Sequence, residues 1–187
     1  SFHVVAVAIF VLPFQFFPTQ FALQSLRLGS IAAVCALVCI EVFRSYSGPH
    51  SAFAKSITRW YMNWLDDRDN GPIATTHIYL LVGCAAPFFF TNDVAVAFSG
   101  VVAVGIGDAV AAVSGRNFGR LKWWNSNRTI EGSVAMFVAV SICLVVLQFP
   151  LSVAIVASAQ ISIMEALTCR TDNLFLPILA VWILART

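Results

Sequence analysis

The sequence predicts an all-α, polytopic membrane bundle of about seven spans, and three observations carry that prediction. Hydrophobic residues make up 59% of the chain and charged residues only 11%, against about 45–50% and about 25% in a soluble domain. The apolar residues fall into continuous runs of about 16–24 residues, the length a helix needs to cross hydrocarbon. The few charges are sorted, with almost all of them on or toward one side. Eleven basic and nine acidic residues cannot cover the surface of a water-soluble fold of 187 residues. A soluble enzyme, a disordered tail and a nucleic-acid binder are therefore excluded as first readings. A net charge of +2 is also too small for a polyanionic partner.

In lipid every backbone polar group must be satisfied within the chain, so continuous apolar runs read as helices and not as alternating barrel strands. The spans are expected near Phe2–Phe17, Ala22–Ser45, Ala74–Phe90, Val94–Gly115, Gly132–Phe149, Leu151–Cys169 and Leu174–Thr187. Prolines 13, 18, 87, 150 and 177 lie near span ends or kinks, where the lipid phase tolerates them. The chain starts at Ser1-Phe2-His3 without an initiator Met or a basic leader. Its last run would reach only about 21 Å as a helix, against a hydrocarbon core of about 30 Å. The expectation is a single membrane-embedded domain, residues 1–187, with both ends truncated. Cys35, Cys39, Cys84, Cys143 and Cys169 all sit in apolar stretches without metal-ligand spacing, and read as buried thiols.

Counting spans puts the loops after the second, fourth and sixth helices on one side. That side holds Arg44, Lys55, Arg59, Arg68, Arg116, Arg120, Lys122, Arg128 and Arg170, while the opposite links carry no Lys or Arg. By the positive-inside rule the charged side is cytoplasmic. Arg27 and Arg186 are the exceptions. The acids gather on the same side, with Asp93 alone in an outer link; Glu41, Asp108 and Glu165 lie inside spans, where a carboxylate is costly and ordinarily faces a polar cavity or a partner. Arg44 and Lys55 need no more than a solvated juxtamembrane position.

Four clusters could carry chemistry. Asp66, Asp67 and Asp69 flank Arg68 ahead of an Asn70-Gly71-Pro72 turn. Dense carboxylates suit Mg²⁺, and a guanidinium can grip phosphate in bidentate fashion, although an ordinary charged loop has the same composition. Gly105-Ile106-Gly107-Asp108 leads into a small-residue stripe, Gly107, Ala111, Gly115 and Gly119. That spacing lets helices approach closely, and packing explains the glycines at least as well as ligand contact. It does not explain Asp108. The loop Arg116–Gly132 carries Arg120, Lys122, Asn125, Asn127, Arg128, Thr129 and Glu131, whose basic and amide groups could hold phosphates, with Trp123 and Trp124 as an interfacial belt. Ser158, Ser162, Glu165, Thr168 and Asp172 recur at helical spacing as one polar stripe closed by Asn173. A transport pathway and an active-site wall both produce such a stripe. His50 and His77 read as structural.

These motifs resemble one family. Asp66-Asp67-Arg68-Asp69-Asn70-Gly71-Pro72 followed by Thr76-His77-Ile78-Tyr79-Leu80-Leu81 is similar to the LDERDSGP…THIYLLLG stretch of dolichol kinases. Gly105-Ile106-Gly107-Asp108, Arg128-Thr129-Ile130-Glu131-Gly132 and Glu165-Ala166-Leu167-Thr168 through Asp172-Asn173 resemble three further motifs of that family, in order along the chain. Arg128 stands where the family has Lys, Ala109 where it has Thr and Asp67 where it has Glu. The resemblance implies phosphorylation of dolichol, a long-chain polyprenol, with CTP as donor at the cytoplasmic face of the endoplasmic reticulum membrane, in support of protein glycosylation. It implies Asp108, Glu165 and Asp172 as catalytic residues, with Asp108 and Asp172 holding Mg²⁺. It implies Asp66, Arg68, Asp69, Gly105, Gly107, Lys122, Arg128, Thr129, Glu131, Gly132 and Asn173 around the nucleotide. Other CTP-using lipid enzymes (phytol, farnesol or diacylglycerol kinases, or a cytidylyltransferase) and an ion-coupled transporter remain as alternatives.

Overall fold

A computed structural model of the chain describes residues 2–47, 56, 76–124, 128–168 and 172–187. Among the described residues it is all-helical, with seven helices: α1 (Phe2–Phe16), α2 (Thr19–Ser47), α3 (Thr76–Phe90), α4 (Val94–Phe118), α5 (Ile130–Val146), α6 (Leu151–Leu167) and α7 (Asp172–Leu184). Their positions follow the apolar runs closely. Two of them, over Thr19–Tyr46 and Val94–Phe118, are long and apolar enough to cross a membrane. At 17 residues, α5 and α6 would each reach about 26 Å along their axes.

The outer surface repeats the apolar character of the core. On α5, Met136, Val140 and Leu144 are fully buried, yet Val134, Val138, Ile142 and Val146 are exposed. A helix that is apolar all round belongs inside a large core or in lipid. The interior is knitted by Phe10, Phe14, Phe88 and Phe98, with Phe88 stacked on Phe10 at 5.5 Å and edge-on to Phe98 at 5.3 Å.

The ends of these helices have identifiable causes. Asp93 caps α4 by accepting from the N–H groups of Ala95 and Val96 at 2.9 and 3.2 Å, which gives this acid a structural task. Between α5 and α6, Phe149 N–H bonds Leu144 O and Gln148 N–H bonds Val145 O. This is a Schellman closure with Gln148 at the left-handed position, φ 69°. Pro150 then starts α6. Over Val102–Asp108, α4 widens into a π-helical stretch, a feature common where a helix carries function.

Three expectations change. Cys35 and Cys39, read as buried thiols, are exposed, because most of α2 lies outside the packed bundle. The stripe from Ser158 to Asp172 is not one helical face: α6 ends at Leu167, Thr168 turns to extended backbone at φ −94°, ψ 131°, and Asp172 opens α7. Nor is Arg44 simply solvated. It lies 2.5 Å from Glu41 one turn away, with side chains 13% and 4% exposed, because a carboxylate buried in α2 needs a cation beside it.

Candidate functional site

The site forms where α4, α5 and α6 meet. α4 and α5 come close because their contact residues are small. A Cβ on Gly132 would lie 2.9 Å from the Ala111 carbonyl oxygen, and one on Gly107 would lie 2.9 Å from both Met136 Cε and Val140 Cγ2. The two backbones thus touch along the predicted small-residue stripe. Asp108 ends the π-helical stretch beside this contact.

The connection from α4 to α5 is a pinned hairpin. Trp123 N–H donates to Arg128 O at 3.0 Å and Ile130 N–H to Leu121 O at 2.9 Å, around an isolated antiparallel bridge between Lys122 and Thr129. Thr129 caps α5, its Oγ1 accepting from Gly132 N–H at 3.2 Å. Glu131 accepts from the N–H groups of Arg120 and Leu121 at 3.0 and 3.1 Å. Its own backbone N–H, those two donors and the nearby Arg120 charge outweigh desolvation and hold its carboxyl below the ordinary range. Trp123 Nε1 donates to Ser133 Oγ at 3.0 Å. The hairpin therefore leaves its closing residue, Arg128, at a defined place over the bundle.

From there Arg128 Nη1 reaches two carboxylates, Asp108 Oδ1 at 3.2 Å and Glu165 Oε1 at 2.6 Å. Asp108 and Arg128 retain some exposure, 13% and 15% of their side chains, while Glu165 keeps 1%. Two carboxylates from separate helices converge on one nitrogen of Arg128 and share its guanidinium. The donor set is hard oxygen, which fits Mg²⁺, an ion that binds through one or two carboxylates and takes its other positions from phosphate and water. Among the described residues no group of three or more His, Cys, Asp or Glu could hold a metal ion.

The remaining expected residues divide. Gly105 and Gly107 are buried inside the π-helical stretch. Lys122 is exposed on the hairpin. Thr129, Glu131 and Gly132 build the hairpin and the α4–α5 contact. Asn173 is buried at the start of α7, and its carbonyl oxygen abuts Gly83 of α3 so closely that no side chain would fit there. Asp66, Arg68 and Asp69 lie outside the described residues, as does the side chain of Asp172. Sequence reasoning did not single out Ser141, whose Oγ lies 2.5 Å from that of Ser158; a serine facing the polar stripe of a neighbouring helix was the available signal.

Comparison with known proteins converges on one set of relatives. The chain is 29% identical to the dolichol kinase of Homo sapiens over 170 residues, 78% of this chain and 32% of that protein. It is 32% identical to that of Schizosaccharomyces pombe over 146 residues, 71% of this chain and 29% of the relative. With that of Arabidopsis thaliana it shares 28% identity across an alignment of 193 positions, 95% of this chain and 33% of the relative. The chain thus spans about a third of the length of these curated relatives. No protein-family model matches the chain, and no solved structure does.

Proposed function

The chain belongs to the dolichol kinase family, and from that premise we propose that it is the catalytic membrane domain of a lipid kinase that transfers the γ-phosphoryl group of CTP to the hydroxyl of dolichol. The products are CDP and dolichyl phosphate. The domain sits in the endoplasmic reticulum membrane with about seven spans and its active site at the cytoplasmic face, where dolichyl phosphate feeds protein glycosylation.

The observation that carries this reading is the guanidinium of Arg128 held between Asp108 and Glu165. Phosphoryl transfer is mostly positioning and charge stabilisation, and this cluster offers both. Asp108, the more exposed carboxylate, faces the nucleotide; with Asp172 it would hold Mg²⁺, which when bound neutralises charge on the CTP phosphates. Arg128, released from the carboxylates by a phosphate, grips the group in flight in bidentate fashion. Lys122 adds positive charge from the hairpin, and Arg68, with Asp66 and Asp69 beside it in the sequence, completes the nucleotide contacts. Glu165, deep in the bundle, takes the proton of the alcohol. The isoprenoid lies between helices, so the water-borne donor and the lipid-borne acceptor meet at one carboxylate pair.

The test is γ-labelled CTP incubated with purified protein and dolichol. The expected result is label in dolichyl phosphate with CDP released, and loss of transfer by about 10²–10³-fold in Asp108→Asn, the scale on which one pre-organised electrostatic group acts. Release of diphosphate in place of CDP would mark a cytidylyltransferase, and robust labelling by Asp108→Asn would remove that carboxylate from the mechanism.

A further inference from the structure

Five serines of the described helices are buried: Ser30, Ser99, Ser133, Ser158 and Ser162. Four have hydrogen-bond partners. Ser30 Oγ donates to Arg27 O, Ser99 Oγ to Val96 O, Ser133 Oγ meets Trp123 Nε1, and Ser158 Oγ lies 2.7 Å from Ala154 O and 2.5 Å from Ser141 Oγ. Ser162 differs. It is 4% exposed, and its Oγ has no hydrogen-bond partner among the described residues. A buried hydroxyl left unpaired costs free energy, and in a native protein it calls for a specific explanation. Turning back onto its own helix, as Ser158 and Ser99 do, was open to it.

Its place on α6 supplies that explanation. Ser162 precedes Glu165 by three residues, so the two are neighbours on one helix face, about 4.5 Å apart along the axis. On the topology proposed above, α6 runs toward the cytoplasmic face, so Ser162 lies one turn nearer the bilayer interior than Glu165. A hydroxyl borne by a lipid arrives from that side, whereas the charged end of the cluster, Asp108 and Arg128, faces the water.

Resting on the kinase reading, we propose that Ser162 holds the acceptor alcohol. Its Oγ–H donates to one lone pair of the alcohol oxygen while the alcohol's own O–H donates to Glu165. The second lone pair then attacks the γ-phosphorus. The new O–P bond forms as the bond from the γ-phosphorus to its bridging oxygen breaks; CDP leaves with that electron pair and the alcohol proton remains on Glu165. Ser162 is unchanged by the step.

Ser162→Ala separates this role from packing. The purified protein is assayed with CTP and dolichol, varying each in turn, and its thermal unfolding is followed in the same lipid–detergent mixture. Ser158→Ala, which removes a hydroxyl already partnered within the bundle, is the control. The expected result for Ser162→Ala is a roughly tenfold lower kcat/KM for dolichol, the scale of one lost hydrogen bond, with KM for CTP unchanged and Tm equal to or above that of the wild type. Ser158→Ala should show the reverse, a lower Tm and an unchanged kcat/KM for dolichol. An active wild type with an unaltered kcat/KM in Ser162→Ala, a Tm loss in that variant, or an equal kcat/KM loss in both variants would overturn the role of Ser162 alone. A wild type that transfers no label from CTP to dolichol would overturn the kinase reading, and this assignment with it.

Discussion

Arg27 and Arg128 are both arginines that tie separate helices together, but their partners differ in kind. Arg27 on α2 donates from Nε to the Phe88 carbonyl oxygen at 2.6 Å and from Nη2 to Asn92 Oδ1 at 2.8 Å. Both acceptors are neutral, and each end of the fork has its own. That arrangement satisfies a cation within apolar surroundings and closes the C-terminal end of α3. Arg128 places a single nitrogen between the carboxylates of Asp108 and Glu165. A structural clamp has no use for two like charges brought together, since each raises the cost of the other. The difference separates an arginine that finishes a fold from one that gathers two carboxylates at a site.

The comparison can be broken or sharpened by substitutions at four positions. Arg128→Met should lower phosphoryl transfer about 10³-fold or more, the scale on which an arginine acts on a transferring phosphoryl group. Arg128→Lys should recover only part of this, because an ammonium lacks the planar fork. Single-turnover labelling of dolichol from CTP reads both, and a methionine variant within tenfold of wild type would reduce Arg128 to the status of Arg27. Arg27→Met should leave kcat unchanged and cost about 2 kcal/mol of stability, from charge-assisted hydrogen bonds lost with nothing else disturbed; thermal unfolding measures it. Gly107→Ala places a methyl against Met136 and Val140 and should cost about 1 kcal/mol, at the low end for overpacking because the Met136 tip can yield. A rise in KM for CTP without a drop in Tm would instead give Gly107 to the nucleotide. The last effect is conditional on pH. Because the hairpin holds the Glu131 carboxyl below its ordinary value, its stabilisation is complete above about pH 5 and fades as pH falls through the lowered value. The Tm difference between wild type and Glu131→Gln should therefore be constant near neutrality and shrink in acid.

The helices were readable from the sequence because an apolar run of sufficient length has little choice of structure in lipid, and the element bounds moved by only a few residues. Asp108, Arg128 and Glu165 were readable as candidates one at a time, the two acids as carboxylates inside apolar spans and Arg128 as a basic residue beside one. Their convergence was not, since it depends on how far the hairpin folds back over the bundle, and hairpin pairing through Leu121, Trp123, Arg128 and Ile130 leaves no mark in residue type. Glu131, expected around the nucleotide, accepts from backbone N–H groups of its own hairpin. The stripe misled for a simple reason. Helical spacing continues on paper through Thr168 to Asp172, whereas the chain stops being helical at Thr168.

The π-helical stretch in α4 has a consequence for how the site came to face inward. A turn of wider helix accommodates one extra residue within an otherwise regular rod, and each residue of an α-helix advances the side-chain direction by about 100°. Val102–Asp108 therefore acts as a phase shift. The same residues in a regular helix would leave Val96 and Ala97 facing the core but would turn Asp108 by about 100° from its present direction. Removing a single residue upstream of Asp108 is in this sense a rotation and not a shortening, and the aim of the carboxylate is set by a residue count that no charge or motif records.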